Sequence, residues 1–328
     1  MALGSITLDL YVYTGTVGNY TASDLKYTIN KDVIVNQSNI VLEIGELTRD
    51  FLTVTFNDDY FSQTVWATAI VRYYDENQTP FTFNNPQTFN YLAFDGYGYF
   101  EEGINPELST NSLISSNVVY HLEDTAGKIP IFAEGVGKVI IDSTTTQITD
   151  NGNTNQKIQY LTIPANSSTV KIYDTDDSTL LKTITVKNIC EPKFTPYKVS
   201  YINRYGAIQD LWFFKKSTES MEVTDETFKR NIINAGTPTY STYEAQTNRY
   251  NVNAKTNITL NTGFVAEAMN VTIEELFLSE NAWIRMGSQT LPLLAKSKSM
   301  AYKTSVNDNL IDYTVDFEFA FNKINNIR

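Results

Sequence analysis

The chain has one cysteine, Cys190, and one histidine, His121, in 328 residues. A single thiol excludes an internal disulfide, and one thiol with one imidazole falls short of any zinc-type ligand set. No stretch approaches the roughly 18 consecutive apolar residues that span a bilayer. The opening residues, Met1 to Thr7, lack both a basic region and an apolar core. No signal peptide is therefore expected, and the chain reads as made and left in a reducing cytoplasm. Charged residues make up only 19%, which fits neither a coiled coil nor a disordered tail. Positive charge is scarce in the first half: residues 1–195 hold 11 Lys/Arg against 23 Asp/Glu, net −12, while residues 196–328 hold 14 of each, net 0. That balance disfavours polyanion binding, since phosphate affinity comes mainly from basic side chains.

Catalytic signatures are also missing. There is no Walker loop, no dinucleotide fingerprint, no His-Glu-x-x-His and no Gly-x-Ser-x-Gly elbow. His121 with Glu123, Asp124 and Ser115 or Ser116 is the nearest approach to an acid–base cluster, and a strand histidine of this kind is more often structural. Glu274 and Glu275, adjacent on a helix, point about 100° apart. Asp58 and Asp59 fall on opposite faces of an extended chain. Both pairs are poorly placed for two-carboxylate chemistry. Lys215/Lys216 and Lys296/Lys298/Lys303 are balanced by nearby acids and read as solvated strand faces. Asp174 to Ser178 loosely resembles a calcium loop but lacks its central glycine and its twelfth-position glutamate. The expectation is no catalysis, no cofactor and no metal.

What the chain does have is 21 Tyr and 18 Phe, with abundant Thr, Val and Ile, the composition of β-structure. Residues 5–13 alternate in period two, and 64–74 are almost continuously apolar, the mark of a central strand. Short strands are expected at 39–44 and 52–56, with a helical turn between. Hairpins are expected around Asp150–Asn153, Asp174–Ser178, Tyr205–Gly206 and Asn307–Asn309. The long strands 219–231 and 243–260 follow. One segment switches period: Val265, Ala268, Met269, Thr272, Ile273 and Leu276 recur at three- and four-residue steps. This predicts a helix over about 263–279, capped by Asn261 or Thr262, with Glu274, Glu275 and Glu280 mostly off its apolar face. The fold class is mainly β: two or three β-sandwich-like domains, the C-terminal one a sheet with a single packed α-helix. The expected domains are 1–136, then 137–194 (a small β domain or the second half of the first sandwich), then 195–328.

Tyr91 to Gly103 packs aromatic residues between glycines. Tyr97, Tyr99 and Phe100 are the candidate subunit-contact loop. The same loop also reads as an Ω-type loop tucked over its own domain, or as a sugar-stacking surface.

Residues 199–216 (VSYINRYGAIQDLWFFKK), the helix end at 276–280 (LFLSE) and the run 303–324 (KTSVNDNLIDYTVDFEFAFNKI) resemble virion structural proteins of crAss-like tailed bacteriophages. Residues 42–51 (LEIGELTRDF) are similar in the same way. The resemblance covers mainly residues 197–328 and implies a protein of the portal–tail region. It would assemble as a homo-oligomeric neck ring or tail hub in the virion, touching copies of itself and other tail or neck proteins. A sheet with one helix is also similar, at the level of fold, to subunits of tail tubes and joining rings. An acidic lining would let DNA slide through such a ring without sticking. The competing expectations are a β-sandwich adhesin or carbohydrate-binding module on the particle or cell surface, and a hydrolase with no visible site, which would have to lose activity when His121 is replaced.

Overall fold

A computed structural model describes residues 3–34, 39–82, 85–297, 301 and 310–324. The expected turn at Asn307–Asn309, and Lys298 and Lys303, lie outside them. The chain gathers into two compact units: residues 1–190 with 200–211 and 268–279, and residues 191–199 with 212–267 and 280–328.

The first unit opens with an antiparallel sheet of β1 (Leu3–Tyr13), β2 (Leu25–Asp32), β3 (Val65–Asp75) and β4 (Gln87–Ala93), in the order β2-β1-β3-β4. Period-two alternation sends Ile6, Leu8, Leu10 and Val12 of β1 to one face. The register sets Leu8 opposite Val71, Leu10 opposite Ala69 and Val12 opposite Ala67, so both strands bury the same side. Residues 39–56 are not strands. Ile40, Leu42 and Ile44 alternate, but together with Leu47, Phe51 and Leu52 they cover this apolar face, on either side of the single helical turn α1 (Gly45–Arg49).

A sandwich follows. β5 (Val118–Leu122), β6 (Gly127–Phe132), β7 (Val136–Ile141), β8 (Thr144–Gln147), β9 (Ile158–Ile163), β10 (Thr169–Asp174) and β11 (Leu180–Ile189) form a five-stranded sheet, β5-β11-β10-β7-β8, and a two-stranded one, β6-β9. Ile129, Ile131, Leu161 and Ile163 of the smaller sheet share a core with Val139, Val170, Ile172, Ile184 and Val186 of the larger. β5 pairs with β11 in parallel, Val118 opposite Thr185, so the sheet runs across residue 137.

β12 (Tyr197–Ile202) and β13 (Ile208–Phe213) are joined by a turn closed by Asn203 and Gly206. Gly206 takes φ +68°, and a Cβ there would lie 2.7 Å from the Asp95 amide nitrogen. Only glycine tolerates both the angle and the approach.

The second unit holds β14 (Thr218–Lys229), β15 (Thr247–Asn261), β16 (Val265–Ala266), β17 (Ala282–Met286), β18 (Gln289–Ala295), β19 (Leu310–Ile311) and β20 (Thr314–Phe319). Its ladder runs β17-β18-β20-β15-β14. Ile258, Leu260, Val315, Phe317 and Phe213 are fully buried, and the Phe213 and Phe317 rings meet edge to face, 6.0 Å apart.

Helix α2 (Asn270–Leu278) starts later than its apolar period suggests, after a 3-10 turn over Glu267–Met269. Asn261 and Thr262 cap nothing, because their side chains serve β-structure. Asn261 accepts from the Gly263 amide at 2.8 Å, and Thr262 accepts from the Tyr313 amide at 3.0 Å. Val265 then pairs with Ile311 in a short bridge.

β14 and β15 differ from every other pair. β15 meets β20 only over Asn257–Asn261, and the backbone contacts of Lys323 and Ile324 end at Ala254 and Asn253. Residues 225–252 are therefore a two-stranded ribbon held by its own ladder. No residue from 218 to 253 is buried.

Candidate functional site: an aromatic loop over a buried acid

The flagged aromatic loop lies in the first unit, and its three residues part company. Phe100 is wholly exposed. Tyr97 and Tyr99 are half-buried, with rings edge to face and centroids 5.9 Å apart. The loop lies close against the β12–β13 turn: the Tyr97 amide donates to the Arg204 carbonyl at 2.9 Å. A Cβ on Gly96 would come within 2.6 Å of that same oxygen, and one on Gly98 within 3.0 Å of the Ile104 carbonyl. The alternating glycines thus let the backbone approach while the tyrosines turn inward.

Arg204 completes the clamp. Its side chain is nearly buried, both terminal nitrogens donate to the Glu102 carboxylate, and its guanidinium stands 4.5 Å from the centre of the Tyr99 ring. Such forked pairing is stronger than a point contact and fixes direction. The Arg204 pair holds the Glu102 carboxyl below the usual carboxylate range.

The acid beneath is Glu275, the third residue after Thr272 on α2 and 0% exposed. It was expected off the apolar face. The i, i+3 step instead sets it beside Thr272, on the side that Tyr201 also faces, the Tyr201 hydroxyl donating to the Thr272 carbonyl at 3.1 Å. One Glu275 oxygen accepts from the Ser115 hydroxyl. The other oxygen, and the Thr272 hydroxyl, have no hydrogen-bond partner among the described residues. The Tyr97 and Tyr99 hydroxyls approach each other without closing a bond of good geometry. Burial pushes the Glu275 carboxyl up to about 7, against the Ser115 hydrogen bond and the Arg204 charge. The same burial drives Tyr97 well above the ordinary phenol range and Tyr99 up to about 12, each raised further by Glu275 nearby. Lys182, whose ammonium donates to the Ile114 carbonyl at 2.5 Å, is pulled down to about 8 by burial and partly restored by Glu275.

Asp210 marks the contrast. Its two oxygens accept from Tyr60 at 2.6 Å and Ser200 at 2.5 Å, an acid fully served by hydroxyls. Glu275 is not so served, and a buried acid with an idle oxygen favours its neutral form.

Ser115 bonds Glu275, and Ser116 donates to the Val118 carbonyl at 2.9 Å. His121 is buried, with its Nε2 3.4 Å from the Thr125 hydroxyl and its ring against Gly127, where a Cβ would lie 2.8 Å away. Asp124 exchanges hydrogen bonds with Asn166 across the surface. Asp176 accepts the Ser178 and Thr179 amides at 2.7 and 2.8 Å, which holds it well below the carboxylate range and makes the tip an Asx turn. Among the described residues no group of three His, Cys, Asp or Glu side chains could hold a metal ion.

No family model, curated protein or solved structure matches the chain.

Proposed function

We propose that this chain is a structural component of a tailed-phage virion, a subunit of a homo-oligomeric ring in the neck or tail, and that it catalyses nothing. The observation that carries the reading is the β14–β15 ribbon. An isolated two-stranded ribbon is marginal in water, and this one leaves Phe228, Ile233, Tyr240, Tyr243 and Tyr250 exposed. Register explains the design. Ile258, Ala254 and their opposite residues Glu219 and Val223 share one face of the ladder. That face is sealed at Ile258 and open at Val223 and Met221. An apolar face that continues outward past its own core suits a neighbouring subunit. Identical neighbours joined arm to body make a heterologous contact, which gives a ring when the rotation between neighbours closes.

The ribbon is braced for such a role. Arg249 pairs with Asp225 at 2.9 Å, Arg230 with Glu244 at 3.5 Å, and Phe228 meets Tyr250 edge to face at 5.8 Å. The sequence resemblance to crAss-like virion proteins points the same way, toward other tail or neck proteins as further partners and toward passage of DNA past an acidic lining. A sugar-binding role for Tyr97 and Tyr99 is less suited to this loop, because Arg204 covers one face of Tyr99 and both rings turn inward.

Mass photometry of the purified chain tests the proposal. High-order species of uniform stoichiometry are expected, reduced to monomers by the triple change Phe228→Ser, Tyr243→Ser, Tyr250→Ser. An intact chain that stays monomeric at micromolar concentration, and is missing from purified particles, would overturn it.

A further inference from the structure

Residues 94–103 are held shut by contacts to two arginines, Arg204 and Arg49. The Tyr97 amide reaches the Arg204 carbonyl, Glu102 takes both terminal nitrogens of Arg204, and Asp95 accepts from Arg49 at 3.1 Å. Beneath them Glu275 is out of contact with water and keeps one oxygen idle. The charged and titratable groups that face it come from every packed element. Lys182 lies on β11, Tyr97 and Tyr99 on the loop, Tyr201 on β12, Arg204 on the turn and Glu274 on α2 itself. Ser115 is its hydroxyl partner.

We propose that Glu275 is a proton-operated latch for the loop over residues 94–103: with a proton it lets Tyr97 and Tyr99 close over it, and without one it drives the loop open. Three features carry this. First, the closed arrangement supplies one donor to a carboxyl that, as an anion, has room for about four. Second, Arg204, the cation whose charge most favours the Glu275 anion, is already committed to Glu102, so pairing an ionised Glu275 with it means letting go of the residue that pins the loop's end. Third, Lys182 spends its short hydrogen bond on the Ile114 carbonyl, so it too must turn away from a backbone acceptor to reach the acid. Opening admits water to Glu275 and frees the segment that bears Phe100, the most exposed large apolar side chain among the described residues.

The direction follows from linkage. The closed state keeps the proton up to about pH 7, whereas a hydrated glutamate releases it near its ordinary value of about 4.3. Opening is therefore favoured progressively as pH rises between those two values, and the gain levels off above pH 7. This holds for the isolated chain and does not depend on ring assembly.

Hydrogen exchange of peptides covering 94–103 in the full-length chain, corrected for intrinsic rates and read from pH 5.5 to 8.5, is the test. The opening equilibrium is expected to rise roughly 30-fold over that range and then flatten. Glu275→Gln, which mimics the protonated acid, should abolish the rise. Ser115→Ala removes the donor that favours the anion and should move the plateau to higher pH. A wild-type profile flat in pH, or an equal rise in Glu275→Gln, overturns the proposal. Should Glu275→Gln not fold, a plateau unmoved by Ser115→Ala overturns it.

Discussion

Two aromatic-rich segments of this chain behave in opposite ways. The loop at 94–103 turns Tyr97 and Tyr99 toward its own unit and shows water only Phe100, whereas the ribbon at 225–252 shows water nearly everything it carries. Composition does not separate them. The difference lies in what stands opposite: Gly96 lets the loop's backbone reach the Arg204 turn, while the ribbon has its ladder partner and, among the described residues, no third strand outside Asn257–Asn261. Aromatic density thus marks a need for burial without saying whose surface meets it.

The comparison can be broken experimentally, and the largest effect belongs to the packed side. Leu276→Ser, on the helix that carries Glu275, removes a fully buried side chain and is expected to cost about 3–5 kcal/mol, read as a fall in chemical-denaturation midpoint. Next comes Glu275→Gln. The folded acid keeps a proton that the unfolded chain releases near pH 4.5, so wild-type stability should fall as pH rises through the window from 4.5 to about 7, then stay low. Gln has no proton to lose, and the variant should exceed wild type at pH 8 by up to roughly 3 kcal/mol, less whatever loop opening relieves, while matching it near pH 4.5. Urea titrations at the two pH values check both the size and the sign. A smaller loss, about 1–3 kcal/mol, is expected for Arg204→Ala, which strips the clamp from Glu102 and Tyr99.

On the ribbon the same chemistry should barely register in a monomer. Tyr243→Ser is 87% exposed before substitution, so its unfolding free energy is expected to change by under about 0.5 kcal/mol. Its effect should appear in assembly instead, as a fall in the oligomer population by mass photometry. Asp225→Asn, which removes the charge facing Arg249, should have the smallest effect on stability, fading further as salt is added. Equal destabilisation by Tyr243→Ser and Leu276→Ser would erase the distinction drawn between the two segments.

Much of the architecture is legible in the residues. Period-two alternation locates β1 and a near-continuous apolar run locates β3, both almost to the residue, and the shift to three- and four-residue steps reveals the longest helix among the described residues. Residues 39–56 misled because alternation reports which side chains are buried, not whether the backbone finds a ladder. Ile40, Leu42 and Ile44 insert into an apolar face from above, which leaves the same pattern as a strand. The late start of α2 was hidden for a different reason: Asn261 and Thr262 are good caps whose bonds are claimed by Gly263 and Tyr313. Glu275 was the largest omission. A charged residue invites assignment to the solvent side, yet its spacing from Thr272 already put it on the inner one. What no single sequence reveals is that Ser115, Lys182 and Arg204, from three distant segments, converge there.

The make-up of the first unit has a bearing on biosynthesis. Residues 200–211 and 268–279 belong with residues 1–190, so a ribosome that has emitted only the first 190 residues has not yet delivered Arg204 or Glu275. The earlier sheets hold all their own strands by then, but the surface that receives residues 200–211 and 268–279 stays uncovered until a stretch synthesised after the whole ribbon has emerged. Cutting the gene at residue 190 would for that reason yield an amino-terminal fragment short of its own lining, and dissection of this chain calls for internal deletions within 225–252 rather than truncation.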